Sequence, residues 1–135
     1  MTKTRITIKS PKGIELLKNA IQDLTIKTGF KIEENAKESA PVDTGYYRSQ
    51  INYDGSNNVI ASAQYSAAIE YGVPEHEIKP VFAQALHFVK DGNDVFAKRA
   101  LIPARRPNPV MRNAAAQTQK EIPQIWKEAL RDNGL

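Results

Sequence analysis

The chain has 135 residues, of which 41% are hydrophobic and 25% charged, and it carries a net charge of +4. That is enough for one domain with one core, of ordinary globular composition. It contains no cysteine and only two histidines, His76 and His87, which excludes disulfides, thiolate metal sites, cysteine nucleophiles and a histidine-rich metal centre. No apolar run approaches the roughly 18 residues of a membrane span, and the opening MTKTRITIKS lacks an apolar signal core, so neither a span nor a secretion signal is read.

In chain order, residues 4–9 alternate apolar and polar and predict a short strand. Ser10-Pro11 predicts a helix start, with Ser10 as N-cap and Pro11 at the first helical position. Ile14, Leu17, Ala20, Ile21, Leu24, Thr28, Ile32 and Ala36 then recur at spacings of three and four, one face of a long helix over 11–39. Gly29 lies inside this pattern and weakens a helix by about 1 kcal/mol relative to alanine, so a bend is expected there. Pro41 turns Ala40 away from helical torsions and ends the helix. Pro41, Asp43, Thr44 and Gly45 together predict a structural turn, Asp43 accepting from backbone N–H groups and Gly45 supplying a positive φ.

Beyond the turn, Tyr47, Ser49, Ile51 and Tyr53 alternate with polar residues and predict a strand. Asp54-Gly55-Ser56-Asn57 is a turn signal, and Val59–Ala63 the returning strand. Tyr65–Tyr71 predicts a two-turn helix stopped by Gly72, with Tyr65, Ile69 and Tyr71 as core residues. Pro74 and Pro80 make residues 72–80 a loop, with Glu75, His76 and Ile78 as candidate interaction residues. Ala85–Lys90 and Val95–Ile102 flank Asp91-Gly92-Asn93-Asp94 as a second hairpin, with Phe88 and Phe96 its core or cross-strand residues. Residues 103–109 form a stiff connector, on which Arg105, Arg106 and Asn108 are further candidate interaction residues. Asn108-Pro109 repeats the N-cap-then-proline signal, and Val110, Ala114, Thr118, Ile122, Ile125 and Ala129 predict a last helix that Pro123 kinks or restarts. The expected architecture is a single α+β domain over 1–135. Two β-hairpins make one antiparallel sheet, packed against the long N-terminal helix and the C-terminal helix.

Few residues carry the pattern of an enzyme. Aspartic proteases use Asp-Thr-Gly after a hydrophobic strand and bring two aspartates together to share a proton. Here Asp43-Thr44-Gly45 follows a helical pattern and an Ala-Pro step, with no later glycine-rich strand behind it. Glu75-His76-Glu77 are consecutive, whereas ligands on one helix face need spacings of three or four. No phosphate-binding glycine loop and no Ser-His-Asp set is present, so neither catalytic residues, cofactor nor metal is assigned. Residues 90–112 hold six basic residues against Asp91 and Asp94, which accounts for the whole net charge. Such a segment suits nucleic acid or an acidic protein surface.

Three blocks resemble a small family of minor tail, tail-completion or head–tail joining proteins of long-tailed bacteriophages and prophages. Ala36–Gly45, followed by Tyr47 and Ser49, resembles the family's "APVDTG" block. Tyr65–Gly72 looks like its "YA…VEYGT" block, and Pro103–Ala114 is similar to the proline-rich block that opens the last helix. Val110 stands where phenylalanine is usual and Val73 where threonine is common. The resemblance spans roughly residues 11–130 and implies structural work without catalysis. It implies a virion protein of the neck or tail, assembled in the bacterial cytoplasm, forming rings that are often hexamers, with itself and neighbouring neck and tail proteins as partners and no membrane. A head-to-tail ring uses two different patches per subunit, and the 72–80 loop and 103–109 connector are the expected ones. The basic segment is expected to face an acidic neighbouring ring, since a DNA passage that gripped phosphate strongly would impede movement. Two other classes stay in view: a small basic DNA-binding domain, which predicts salt-sensitive DNA binding, and a dimeric aspartic protease, which predicts acid cleavage lost in Asp43→Asn.

Overall fold

The computed structural model describes residues 5, 7, 11–42, 45–80 and 85–135. Of the expected strand over 4–9 only residues 5 and 7 are described, and neither is in a strand; the Ser10 cap, the roles of Asp43 and Thr44, and the Phe88 side chain lie outside the described residues. Contacts gather into two compact units, Met1–Ser66 with Pro109–Leu135, and Ala67–Asn108.

The first unit is built on two long helices, α1 (Pro11–Ser39) and α4 (Val110–Asp132), with the one-turn helix α2 (Tyr46–Ser49) and the strands β1 (Ile51–Tyr53) and β2 (Val59–Ala61). The second runs from α3 (Ser66–Tyr71) through β3 (His76–Ile78), β4 (Leu86–Lys90), β5 (Asn93–Ala97) and β6 (Ala100–Ile102). The α+β class holds, with antiparallel hairpins and with α1 packed on α4. The strands differ from expectation in how they join. Among the described residues they make three separate two-stranded sheets, β1–β2, β3–β6 and β4–β5, in place of one continuous sheet.

α1 has the bounds its prolines predict. Pro11 opens it, where a missing N–H costs nothing. At the other end the Ser39 hydroxyl donates back to the Asn35 carbonyl at 3.2 Å, taking up an orphan acceptor of the last turn before Pro41. The α1–α4 contact is antiparallel: the Asp23 carboxylate accepts from Asn133, Lys27 reaches Asp132, and Asn35 reaches Thr118. Small side chains let the helices approach, since Ala20, Ala36, Ala114 and Ala129 are all buried. Between them lies one buried polar step. Asn35 Nδ2 donates to Thr118 Oγ1 at 2.9 Å and to Glu121 Oε2 at 3.3 Å, and Thr118 Oγ1 donates to the Ala114 carbonyl at 2.8 Å. Every member is partnered, which buried polar groups require.

Two expectations for α4 change. Pro109 sits at the cap position with non-helical torsions, the helix begins at Val110, and no side chain caps it. Asn108 is not the cap, because its backbone N–H is committed to the Ile69 carbonyl at 2.7 Å. At Pro123 the helix neither ends nor restarts. Pro123 and Gln119 are both exposed, so water can serve the carbonyl that the proline leaves without a donor.

The predicted strand from Tyr47 is also corrected. Residues 46–49 form a helical turn, closed by Ser49 N–H on the Gly45 carbonyl at 3.0 Å and by the Ser49 hydroxyl on the Tyr46 carbonyl at 2.7 Å. Tyr47 and Ile51 are both buried and four residues apart, so their spacing fits a helical turn as well as a strand. β1 then pairs with β2 in the register Ile51↔Ala61 and Tyr53↔Val59. The turn between them is organised by Asp54, whose Oδ1 accepts from the Ser56 and Asn58 backbone N–H groups at 2.8 and 3.1 Å.

This hairpin is fastened to α1 at Gly29. A Cβ there would stand 2.4 Å from the Tyr53 ring, so glycine is required by close approach. The Tyr53 ring meets Phe30 edge-on at 5.1 Å, and its backbone N–H donates to Glu33 Oε2 at 2.6 Å. That bond, with the Lys37 ammonium at 3.2 Å from Glu33 Oε1, holds the Glu33 carboxyl below its usual pKa. α1 continues through Gly29 as one assigned helix.

In the second unit, residues 72–80 are not merely a loop. β3 pairs with β6 in the register His76↔Ile102 and Ile78↔Ala100. The pairing extends through a bridge between Val73 and Arg105 and the Asn108–Ile69 hydrogen bond. Pro74 and Pro80 flank the three paired residues without interrupting them, where their missing donors do not matter. Gly72, at φ +75°, turns the chain out of α3 so close to the Arg105 carbonyl that a Cβ would lie 2.6 Å from it. The β4–β5 hairpin turns on Asp91-Gly92, both at positive φ, as a two-residue turn requires, so Asn93 and Asp94 belong to β5.

Candidate functional site

The six candidate interaction residues come from two stretches of sequence, and the fold of the second unit sets those stretches side by side. His76 and Ile78 lie on β3, with exposed Glu75 just before it. Across the ribbon, Arg105 exchanges two backbone hydrogen bonds with Val73, at 3.0 and 2.7 Å, leaving its guanidinium exposed. Arg106 is exposed next to it, and Asn108 closes the ribbon against Ile69. The His76 ring is tied locally, its Nδ1 lying 3.0 Å from the Pro74 carbonyl. Arg99 stands 3.6 Å from Glu77, so part of the basic segment answers acids within its own unit. In the turn, Pro41 is exposed and Gly45 adopts φ +81° at the start of α2. Both elements flanking Gly45 are helical.

More telling are residues placed wrongly by sequence reasoning. Ile69 is buried as expected, whereas Tyr65 is exposed and Tyr71 is 76% exposed, so these tyrosines are not core. Phe96 is a cross-strand residue, one of the two places expected for it, opposite His87, and it is 69% exposed. Val89 and Leu101 are similarly open, at 65% and 66%. The period-2 pattern puts His87, Val89, Asp94 and Phe96 on one face of the hairpin and Leu86, Val95 and Ala97 on the other. Leu86, Val95 and Ala97 are partly buried. Alternation in the sequence shows that two faces exist; which one is covered is decided by tertiary packing.

The open face is held in shape. The His87 ring stacks on Phe96 at 4.8 Å between centroids, and its Nε2 lies 3.0 Å from Asp94 Oδ1. The first unit contains a concave groove of about 500 Å³ between α1, α4 and the β1–β2 hairpin. Leu24, Ile32, Tyr53, Val59, Met111 and Ile122 make its apolar wall, and Thr25, Thr28, Ser56 and Asn57 its polar edge. Among the described residues, no charged side chain lines it. The groove was legible in part, since Leu24, Thr28 and Ile32 belong to the predicted α1 stripe.

Among the described residues, no group of three or more His, Asp or Glu is placed to hold a metal ion, and no helix is long and apolar enough to cross a membrane. No protein-family model, curated protein or solved structure matches the chain.

Proposed function

We propose that this chain is a structural virion protein of the phage head–tail junction, a tail-completion or head–tail joining subunit that assembles with copies of itself into a ring. Its other partners are the neighbouring neck and tail proteins, met after assembly in the bacterial cytoplasm. The observation that carries the reading is the uncovered apolar surface of the second unit. Tyr71, Val89, Phe96 and Leu101 stand open on and beside two-stranded sheets. A two-stranded hairpin is marginal alone in water, and unpaired strand edges invite another chain. Surfaces of this kind suit a subunit that is completed by its neighbours.

The resemblance to the phage family gains support from where its blocks fall. Ala36–Gly45 lies at the joint between α1 and α2, Tyr65–Gly72 covers α3 and its stop, and Pro103–Ala114 leads from the ribbon into α4. Each block therefore shapes a change of direction, which a shared architecture would preserve. Light scattering with negative-stain imaging of the purified protein, alone and with phage tails, tests the proposal. Concentration-dependent self-association and rings, or stable attachment at the tail end, are expected. A chain that stays monomeric at every concentration and ignores tails overturns it, as would turnover of a substrate.

A further inference from the structure

We propose that the exposed face of the β4–β5 hairpin of one copy seats Phe96 and Val89 in the α1–α4 groove of the next copy. The inference rests on the ring reading above and names the two surfaces that would meet.

The hairpin face is an apolar plug. Phe96 and Val89 lie on the same side of the sheet, and both are about two-thirds exposed. Stacking against His87, itself held at 3.0 Å from Asp94, limits the freedom of the Phe96 ring. Presenting it to a partner thus gives up little conformational entropy, which is the advantage of a preorganised contact. The groove is the matching socket. Its wall is apolar and, among the described residues, free of charged side chains, so a buried charge would find no counter-ion there. An uncharged apolar occupant meets no such penalty. Its volume of about 500 Å³ admits an aromatic ring with a neighbouring aliphatic side chain, and Met111 on the wall can adjust to their shape.

Two grooves set face to face leave a void, so the groove needs a protruding occupant. A plug and a socket on one molecule meet either reciprocally across a two-fold or head to tail, and only the head-to-tail contact closes into a ring or continues as a filament; the ring reading above selects the second. Size decides the strength. An aromatic side chain buries about 150–250 Å², and a plug of two side chains falls well short of the roughly 800 Å² per partner of a stable pair. A single contact is therefore weak. Each copy offers one plug and one socket, so a closed ring holds every member twice and gains from the high effective concentration of its neighbours.

The absence of cysteine from the chain makes the contact easy to trap. Thr25→Cys places a thiol at the groove edge and Val89→Cys places one on the plug; both positions are exposed. With a short bis-maleimide, the two full-length single variants are expected to cross-link when mixed, and neither alone. Cross-linking of Val89→Cys with itself, or no cross-link in the mixture, overturns the proposal. So does an intramolecular cross-link in the dilute double variant, which would mean that the hairpin fills its own groove. Independently, Phe96→Ser is expected to weaken self-association at least about tenfold, as loss of a central anchor does, without moving the unfolding midpoint. Wild-type protein that associates no better than Phe96→Ser overturns this inference and leaves the ring reading standing. Wild-type protein that never associates, alone or with tails, overturns both.

Discussion

The two units of this protein solve the same problem with different means. In the first, 29 residues of α1 and 23 of α4 bury a shared seam of alanines, and a short hairpin is fastened on top through Tyr53 and Glu33. In the second, among the described residues, no strand exceeds five residues and every sheet has two strands. Large apolar side chains stand exposed in both units, Phe30, Val42 and Ile60 in the first and Tyr71, Phe96 and Leu101 in the second. Long helices complete their own backbone hydrogen bonds and need only one covered face. Short strands leave edges and faces for something else to complete. The contrast is between a framework of long paired helices and a set of short two-stranded ribbons.

That contrast can be broken most directly in the framework. Ile51 is fully buried beneath the helices of the first unit. Ile51→Ala is expected to lower stability by about 2–5 kcal/mol, the usual range for emptying a well-packed site; urea unfolding followed by circular dichroism measures it. Next comes a test of sign. By helix propensity alone, Gly29→Ala should stabilise α1 by about 1 kcal/mol. With the Tyr53 ring 2.4 Å from the new methyl group, it is expected instead to destabilise, by about 1–3 kcal/mol, as overpacking does. A gain in melting temperature would show that the hairpin is not seated on the helix at that point.

A smaller effect is expected from acid. The folded state lowers the Glu33 pKa, chiefly through the Tyr53 N–H and also through Lys37. Its contribution is therefore complete above the unfolded carboxylate value of about 4.3 and is lost as pH falls through the lower folded value. Glu33→Gln removes that titration. The wild-type urea midpoint should fall more steeply below pH 4 to 5 than that of the variant, and parallel curves would deny the bond its role. The smallest stability change belongs to the second unit. Phe96→Ser should alter unfolding by less than about 0.5 kcal/mol, the range for exposed positions, despite removing the largest side chain on that face. A large loss would mean that Phe96 supports its own chain.

Much of the framework was legible because punctuation and periodicity agree there. Pro11 and Pro41 bracket α1, and Asp54-Gly55 marks the first hairpin. α4 shifted only by the commitment of Asn108 to Ile69. The ribbon was not legible. β3 and β6 are three residues each, separated by more than twenty positions, and the prolines around β3 read locally as a loop. Long-range pairing of short strands leaves no local signature. The turn at Tyr46–Ser49 was misread because four-residue spacing fits two periods at once. The candidate surface was half visible: Glu75, His76, Ile78, Arg105 and Arg106 do share one ribbon, while Tyr65 and Tyr71, expected in the core, are exposed. A large apolar residue in an alternating run predicts that one face is apolar, and says nothing about whether that face is inside.

The meeting of Asn35 with Thr118 has a mechanical consequence. If α4 slid along α1 by one helical turn, about 5.4 Å, the Asn35 amide would lose the Thr118 hydroxyl and meet Ala114 or Ile122 in its place, neither of which offers a side-chain acceptor. The helix pair therefore has a detent as well as a smooth seam. Any other register costs a buried hydrogen bond, so the amide marks one register out of many that a seam of alanines alone would allow.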